Sequence, residues 1–296
     1  MRQAARHPGS QGAADEARVA AAEARAAADD RTIVVSDPSI SGDMYSSHVD
    51  YAQNLALVHE LFPDAYVIYF VRQHSDWLQS AYRQALVKGP GMPIERFLNF
   101  YEGAFRPRLA RRVHGVRNVE ALTLRFLEIY RGYADRFGPE RVFLFRQEDL
   151  RRRPDDVYPR LAEALGLGEL PSLPERVSGN RAFSALAIHL FFRGVRGQVT
   201  YPPPEAARAD NKGRGGPWRS PLRRLRTTFV RHAFDRLVYR DWDLLAADGM
   251  RDQLDRQYSA EFEALSRVAD EILEQGPGSN ARELADASAA RASQHA

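Results

Sequence analysis

Helical stretches alternate with short, unbroken apolar runs along this chain. Residues 13 to 29 (AADEARVAAAEARAAAD) are strong helix formers with charges spread around the wheel, and the β-branched run Thr32-Ile33-Val34-Val35-Ser36 follows at once. This pattern predicts a helix feeding a buried strand. A second helix is predicted around Tyr51 to Leu61. Phe62-Pro63-Asp64 stops it, and Tyr66-Val67-Ile68-Tyr69-Phe70-Val71 reads as the next strand. A long helix from about Val119 to Phe137 ends at the Gly138-Pro139 breaker, ahead of a third strand, Val142-Phe143-Leu144-Phe145. Helices alternating with continuous apolar strands predict an α/β fold with a parallel sheet covered on both faces. Phe97, Phe100, Tyr101 and Phe105 recur at helical spacing in a predicted 92–106 helix, which reads as core packing, with an acceptor-pocket lining as the alternative.

In such sheets ligands bind beyond the carboxyl ends of the strands. Those positions are Ser36-Asp37-Pro38, Arg72-Gln73-His74 and Arg146-Gln147-Glu148-Asp149. The second set is the most informative. A cation stands at a strand exit, a helix opens with Ser75 and Asp76 as expected caps, and Ser80 follows two turns later. An arginine, a helix amino end and a hydroxyl are the parts of a phosphate site. The competing structural reading pairs Arg72 with Asp76. Glu148 and Asp149 read as structural, satisfying the turn after a strand.

Composition narrows the chemistry. The chain has 296 residues, 44% of them hydrophobic and 27% charged, which excludes wholesale disorder. With no cysteine there is no disulfide framework, thiolate nucleophile or Cys-based metal site. The eight histidines form no metal-like pair, so no metal is expected. The longest apolar stretch, Ala65 to Val71, is too short for a membrane span, and no signal-peptide core opens the chain, which reads as cytoplasmic. All basic residues except Lys88 and Lys212 are arginine, a usage that fits a GC-rich bacterial genome and suits anion binding. The arginines are mostly interleaved with Asp or Glu, so no nucleic-acid polymer is expected as partner. Arg151-Arg152-Arg153 and the group Arg223, Arg224 and Arg226 read as solvated charge runs, the second group having an extended anion site as its alternative.

The segment from Leu61 to Gln84 resembles the sulfotransferase family, specifically its bacterial branch. Arg72 and the serine eight positions later match the pair that holds the 3′-phosphate of PAPS (3′-phosphoadenosine 5′-phosphosulfate), and Tyr82 continues the S-x-Y pattern. Val142 to Leu167 is similar to the family's strand, its E-D-L signature at Glu148-Asp149-Leu150 and its Pro154-initiated helix. Asn180-Arg181-Ala182-Phe183-Ser184 is similar to the Asn-Arg-x-x-Ser stretch that opens the next helix. Asn211 to Arg219 resembles the K-G-x-x-G-x-W loop folded over the 3′-phosphate, which would add Lys212, Gly213 and Arg214 to the site; a Gly-rich surface loop is the other reading.

The resemblance implies a three-layer, P-loop nucleotide-hydrolase-like fold. It also implies sulfuryl transfer from PAPS to a hydroxyl or amine on a small-molecule, carbohydrate or lipid acceptor. On this reading residues 1–30 are an amino-terminal helix, 31–275 the sulfotransferase-like domain and 276–296 a mobile tail. The family's K-x-G-T-T loop, which holds the 5′-phosphosulfate, is not in the sequence, and the sheet is expected to lack a central strand. An unpaired interior edge costs ~1–3 kcal/mol per group against ~5–15 kcal/mol of total stability, so a truncated reading frame is expected. Where the bacterial branch has Ser-Asp-Glu, this chain has Ser36-Asp37-Pro38, leaving Asp37 or His48 as candidate bases, His48 being expected in an exposed loop. The alternative function is a catalytically inactive nucleotide-binding relative. A kinase of the same general fold lacks a Walker-type loop.

Overall fold

The computed structural model describes residues 11–28, 31–36, 40–88, 92–107, 112–113, 116–167, 182–192 and 221–277. Helix α1 (Gln11–Ala28) packs Ala17 and Ala21 against Leu61 at the end of α2 (Tyr51–Leu61), and Arg18 pairs with Glu60 at 2.7 Å. Strand β1 (Val67–Val71) leads into α3 (His74–Lys88) and the short α4 (Ile94–Phe97). Two small antiparallel hairpins follow, β2 (Phe100–Tyr101) with β3 (Ala104–Phe105) and β4 (Arg112–Val113) with β5 (Val116–Arg117). Helix α5 (Phe126–Phe137) then precedes strand β6 (Val142–Arg146). Helices α6 (Asp149–Arg152), α7 (Pro154–Leu165) and α8 (Ala185–Phe191) come next. Helix α9 (Pro221–Phe229) runs through a π turn at Val230–Phe234 into α10 (Asp235–Leu237), and α11 (Met250–Gln275) is the longest element.

The fold is mixed α/β and mostly helical around a small parallel sheet. β1 and β6 pair in parallel from Val67↔Val142 to Val71↔Arg146, and the Gln147 amide continues the ladder onto the Val71 carbonyl at 2.8 Å. Val142 to Phe145 are fully buried because α11 and α5 both pack on β6. Four successive apolar side chains on one strand are stable only where both faces are covered. Tyr69 turns towards α5 and meets Tyr133 at 6.1 Å, while Phe70 lies beside Phe145 at 5.7 Å.

Four expectations are corrected. Thr32–Ser36 is not a buried strand: it pairs with no described strand and leaves Val34 67% exposed, because β propensity needs a partner edge to become a sheet. The described sheet therefore has two parallel strands where three were expected. The 92–106 segment is a one-turn helix and a hairpin, since Asn99, Glu102 and Gly103 all adopt positive φ and stop a helix there. Phe97, Phe100 and Tyr101 are nevertheless core residues, as their spacing suggested. Finally, α5 begins at Phe126 instead of Val119. Tyr258 accepts the Leu124 amide at 3.0 Å and Glu261 accepts the Leu127 amide at 2.9 Å, so side chains of α11 cap this helix.

Candidate functional site

The carboxyl end of β1 is built where a half-buried strand stops and, after Arg72 and Gln73, a helix starts. Gln73 closes the first turn of α3 through its carbonyl, which accepts the Trp77 amide at 2.8 Å. Ser75 and Asp76 do not serve as caps in the way the sequence suggests. The Ser75 hydroxyl donates to Asp255 at 2.6 Å, where the Gln73 amide also donates at 3.1 Å, and Asp76 accepts from Arg251 at 2.9 Å. Arg251 in turn binds both oxygens of Asp243, which also accepts from Gln79 and from the Leu245 amide. Hydrogen bonds from Arg251 hold the Asp243 carboxyl below its ordinary range, against the opposing effect of burial. One side of α3 is thus stitched to α11 and the segment before it.

Arg72 is half-buried at the strand exit, and among the described residues it makes no hydrogen bond or ion pair. Its neighbours in the sheet region behave differently. At the end of β6, Arg146 binds Asp149 at 2.7 Å and Asp270 at 2.7 Å, and Arg153 shares Asp270 at 2.7 Å. Burial opposes the charge on Arg146, but these carboxylates outweigh it and strengthen its hold on its proton. Asp149 of the E-D-L signature is accordingly a buried structural anchor. Arg83 and Arg251 are also paired, with Asp241 and with Asp76 and Asp243.

Ser80 stands six residues into α3, about 9 Å along its axis from His74. It is exposed, and its hydroxyl makes no hydrogen bond to Arg72 or to any other described residue. Tyr82, which continues the S-x-Y pattern, is a core residue whose hydroxyl donates to the Met92 carbonyl at 2.6 Å. Ser184 caps α8 by accepting the Ala187 amide at 3.1 Å, consistent with the motif that ends there. Asp37, Asn180, Arg181, Lys212, Gly213 and Arg214 lie outside the described residues.

His48 is corrected from an exposed loop residue to a buried one, lying against Trp77 and Phe126 at 5.7 and 6.0 Å between centroids. Its loop is tightly made. Gly42 sits at φ +100°, where an added Cβ would meet Asp50 Oδ1 at 2.7 Å, and Ser47 and His48 are both left-handed. His48 Nδ1 lies 2.9 Å from the Ser41 carbonyl, to which it donates, while buried Nε2 has no hydrogen-bond partner. Burial lowers the affinity of the ring for a second proton, outweighing the carbonyl, Asp50 and Asp43. A sealed, neutral imidazole is not poised to accept a proton from a ligand.

That burial gives a signed pH dependence. The folded-state pKa lies below the unfolded value, so below about pH 6.5 the unfolded chain binds more protons and stability falls with pH until the folded pKa is passed, at up to about 1.4 kcal/mol per pH unit. Urea midpoints measured from pH 7.5 downward should show this slope, reduced in His48→Leu. An unchanged slope in that variant would assign the effect to other groups.

Several residues that organise this region were not read from the sequence. His74 is wholly buried, stacked 4.0 Å from Tyr258 and 4.6 Å from Phe126, with Nε2 3.6 Å from Glu261. Tyr258 and Glu261 lie on α11, whose Asp255 and Tyr258 follow Arg251 at helical spacing. The signal was the set of polar residues interrupting the inward stripe of that helix. Among the described residues no cluster of His, Asp and Glu is suited to a metal ion. What the strand exit offers is the half-buried Arg72 guanidinium, which has no hydrogen-bond partner among the described residues and is of a chemistry suited to an anion. No family model matches the chain, and neither a curated protein nor a solved structure does.

Proposed function

We propose that this chain binds a 3′-phosphorylated adenine nucleotide as a sulfotransferase does, and moves the sulfuryl group of PAPS to a hydroxyl or amine acceptor. Arg72 carries the reading. It is the half-buried arginine at a parallel-strand exit left without a partner among the described residues, while Arg83, Arg146 and Arg251 are all neutralised. A guanidinium in that position fits a phosphate, which it grips through two parallel hydrogen bonds. Ser80, exposed on α3, adds a hydroxyl donor, and Lys212, Gly213 and Arg214 would complete the anchor. The reading carries with it the three-layer sulfotransferase fold, in which β1 and β6 would be two of the strands. PAPS would supply the sulfuryl group. The chain would hold its 3′-phosphate, and Asp37 would take the acceptor proton. Small molecules, carbohydrates and lipids are the acceptor classes to test.

A second reading, an inactive nucleotide-binding relative, is favoured by one observation: His48, one of the two candidate bases, is sealed in the interior. Both readings predict saturable calorimetric binding of 3′,5′-adenosine bisphosphate. Arg72→Ala should weaken it by about 10–100-fold, the worth of charge-assisted hydrogen bonds, and Ser80→Ala by less. A folded chain that binds none of it, or an Arg72→Ala variant that binds equally well, sinks both. Release of the bisphosphate from PAPS only when an acceptor is present separates the enzyme from the binder.

A further inference from the structure

Large apolar side chains are exposed around helix α8. On α9, Leu225 is 67% and Phe229 50% exposed; in α10 Leu237 is 83% exposed, and Trp242 beyond it is 46% exposed. Contacts with α8 tie Phe229 and Trp242 to it. Phe191 meets Phe229 at 6.0 Å and Phe234 at 5.0 Å, His189 meets Trp242 at 6.5 Å, and the Leu186 amide donates to the Arg240 carbonyl at 3.1 Å. The inward side of α9 is accounted for separately. Arg226 lies over the Phe192 ring at 4.4 Å and donates to the Phe191 carbonyl, and Val230 is buried. Leu225 and Phe229, four residues apart, thus form an outward apolar stripe of a kind that globular surfaces seldom leave in water.

The charge of this stretch is one-sided. Residues 221–242 contain arginines at 223, 224, 226, 231, 236 and 240 but only Asp235 and Asp241 as acids. Both acids are already paired within the fold. Buried Asp235 holds the Ser184 hydroxyl and amide at 2.5 and 3.0 Å, and Asp241 pairs with Arg83 at 2.8 Å and accepts the Ala185 amide at 3.0 Å. Arg236 and Arg240 are exposed beside the apolar residues.

We propose that this face docks on the surface of an anionic lipid bilayer. This inference stands apart from the sulfotransferase reading. Leu225, Phe229, Leu237 and Trp242 enter the interface, where tryptophan is at home, and Arg236 and Arg240 meet headgroup phosphates. No helix of the described residues is long and apolar enough to cross a membrane, so the face would lie on the bilayer. A second copy is a poorer occupant, because a twofold contact brings the same arginine-rich stretch of each chain against the other.

The test is co-sedimentation of the full chain with phosphatidylcholine vesicles, with and without one-third phosphatidylserine, at low and high salt. Binding should require phosphatidylserine and weaken with salt. Arg236→Gln with Arg240→Gln should reduce it about fivefold per arginine, and Leu225→Ser with Phe229→Ser should abolish it while leaving the circular dichroism unchanged. A folded chain that stays in the supernatant with both vesicles overturns the proposal, as does binding that the variants leave intact. Concentration-dependent dimerisation, lost in Leu225→Ser with Phe229→Ser and without vesicle binding, assigns the face to a second copy.

Discussion

Truncating Tyr258 to alanine is expected to lower stability by about 4 kcal/mol, a large share of the ~5–15 kcal/mol that holds a typical domain together. The ring is almost wholly buried and lies parallel to His74, 4.0 Å away. Its hydroxyl donates to the Ala121 carbonyl at 2.7 Å and accepts the Leu124 amide at 3.0 Å. Alanine therefore leaves a cavity beside a buried imidazole and strips two buried backbone groups of their partner. Tyr258→Phe keeps the ring and removes only the hydrogen bonds, at about 1–3 kcal/mol. Urea denaturation of the two variants separates the contributions. If Tyr258→Phe proves as damaging as Tyr258→Ala, the hydroxyl dominates and the cavity argument fails.

The second large effect is expected at Arg83, 8% exposed in the middle of α3. Its guanidinium donates to the Phe183 carbonyl, to Gln79 at 3.1 Å and to Asp241 at 2.8 Å, so it ties α3 to the entrance of α8. Arg83→Met preserves much of the stem packing but leaves a buried carbonyl and a carboxylate short of a donor, at a cost of about 3 kcal/mol. Asp241 keeps the Ala185 amide and is partly exposed, which limits the loss. Asp241→Asn combined with Arg83→Met should cost less than the sum of the two single changes. Strict additivity would mean that the pair does not interact.

Local signals located several elements well. The predicted helix around Tyr51 to Leu61 occupies those residues, α7 starts at Pro154 and stops where Gly166 turns left-handed, and β1 and β6 fall on the two apolar runs. In each case the information lies within a few residues: an apolar run, a breaker, a proline that presets the first turn. Thr32–Ser36 shows where this fails. Its β-branched residues favour extended backbone, but a strand also needs a partner edge, which no local pattern supplies.

The candidate site divides in the same way. The sequence by itself placed Arg72 at the exit of a strand and Ser80 two turns along the following helix, because strand, breaker and helix start are local properties. Tertiary structure alone decided which charges are free. Arg251 reaches back across 175 residues to Asp76, Asp255 binds Ser75 across 180, and Arg83 finds Asp241 across 158. It also sealed His48 between Trp77 and Phe126, though nothing around that residue in the sequence marks it as buried. The physical reason is that a charge is neutralised, or a ring desolvated, by whatever packs against it, and those neighbours are chosen by the fold.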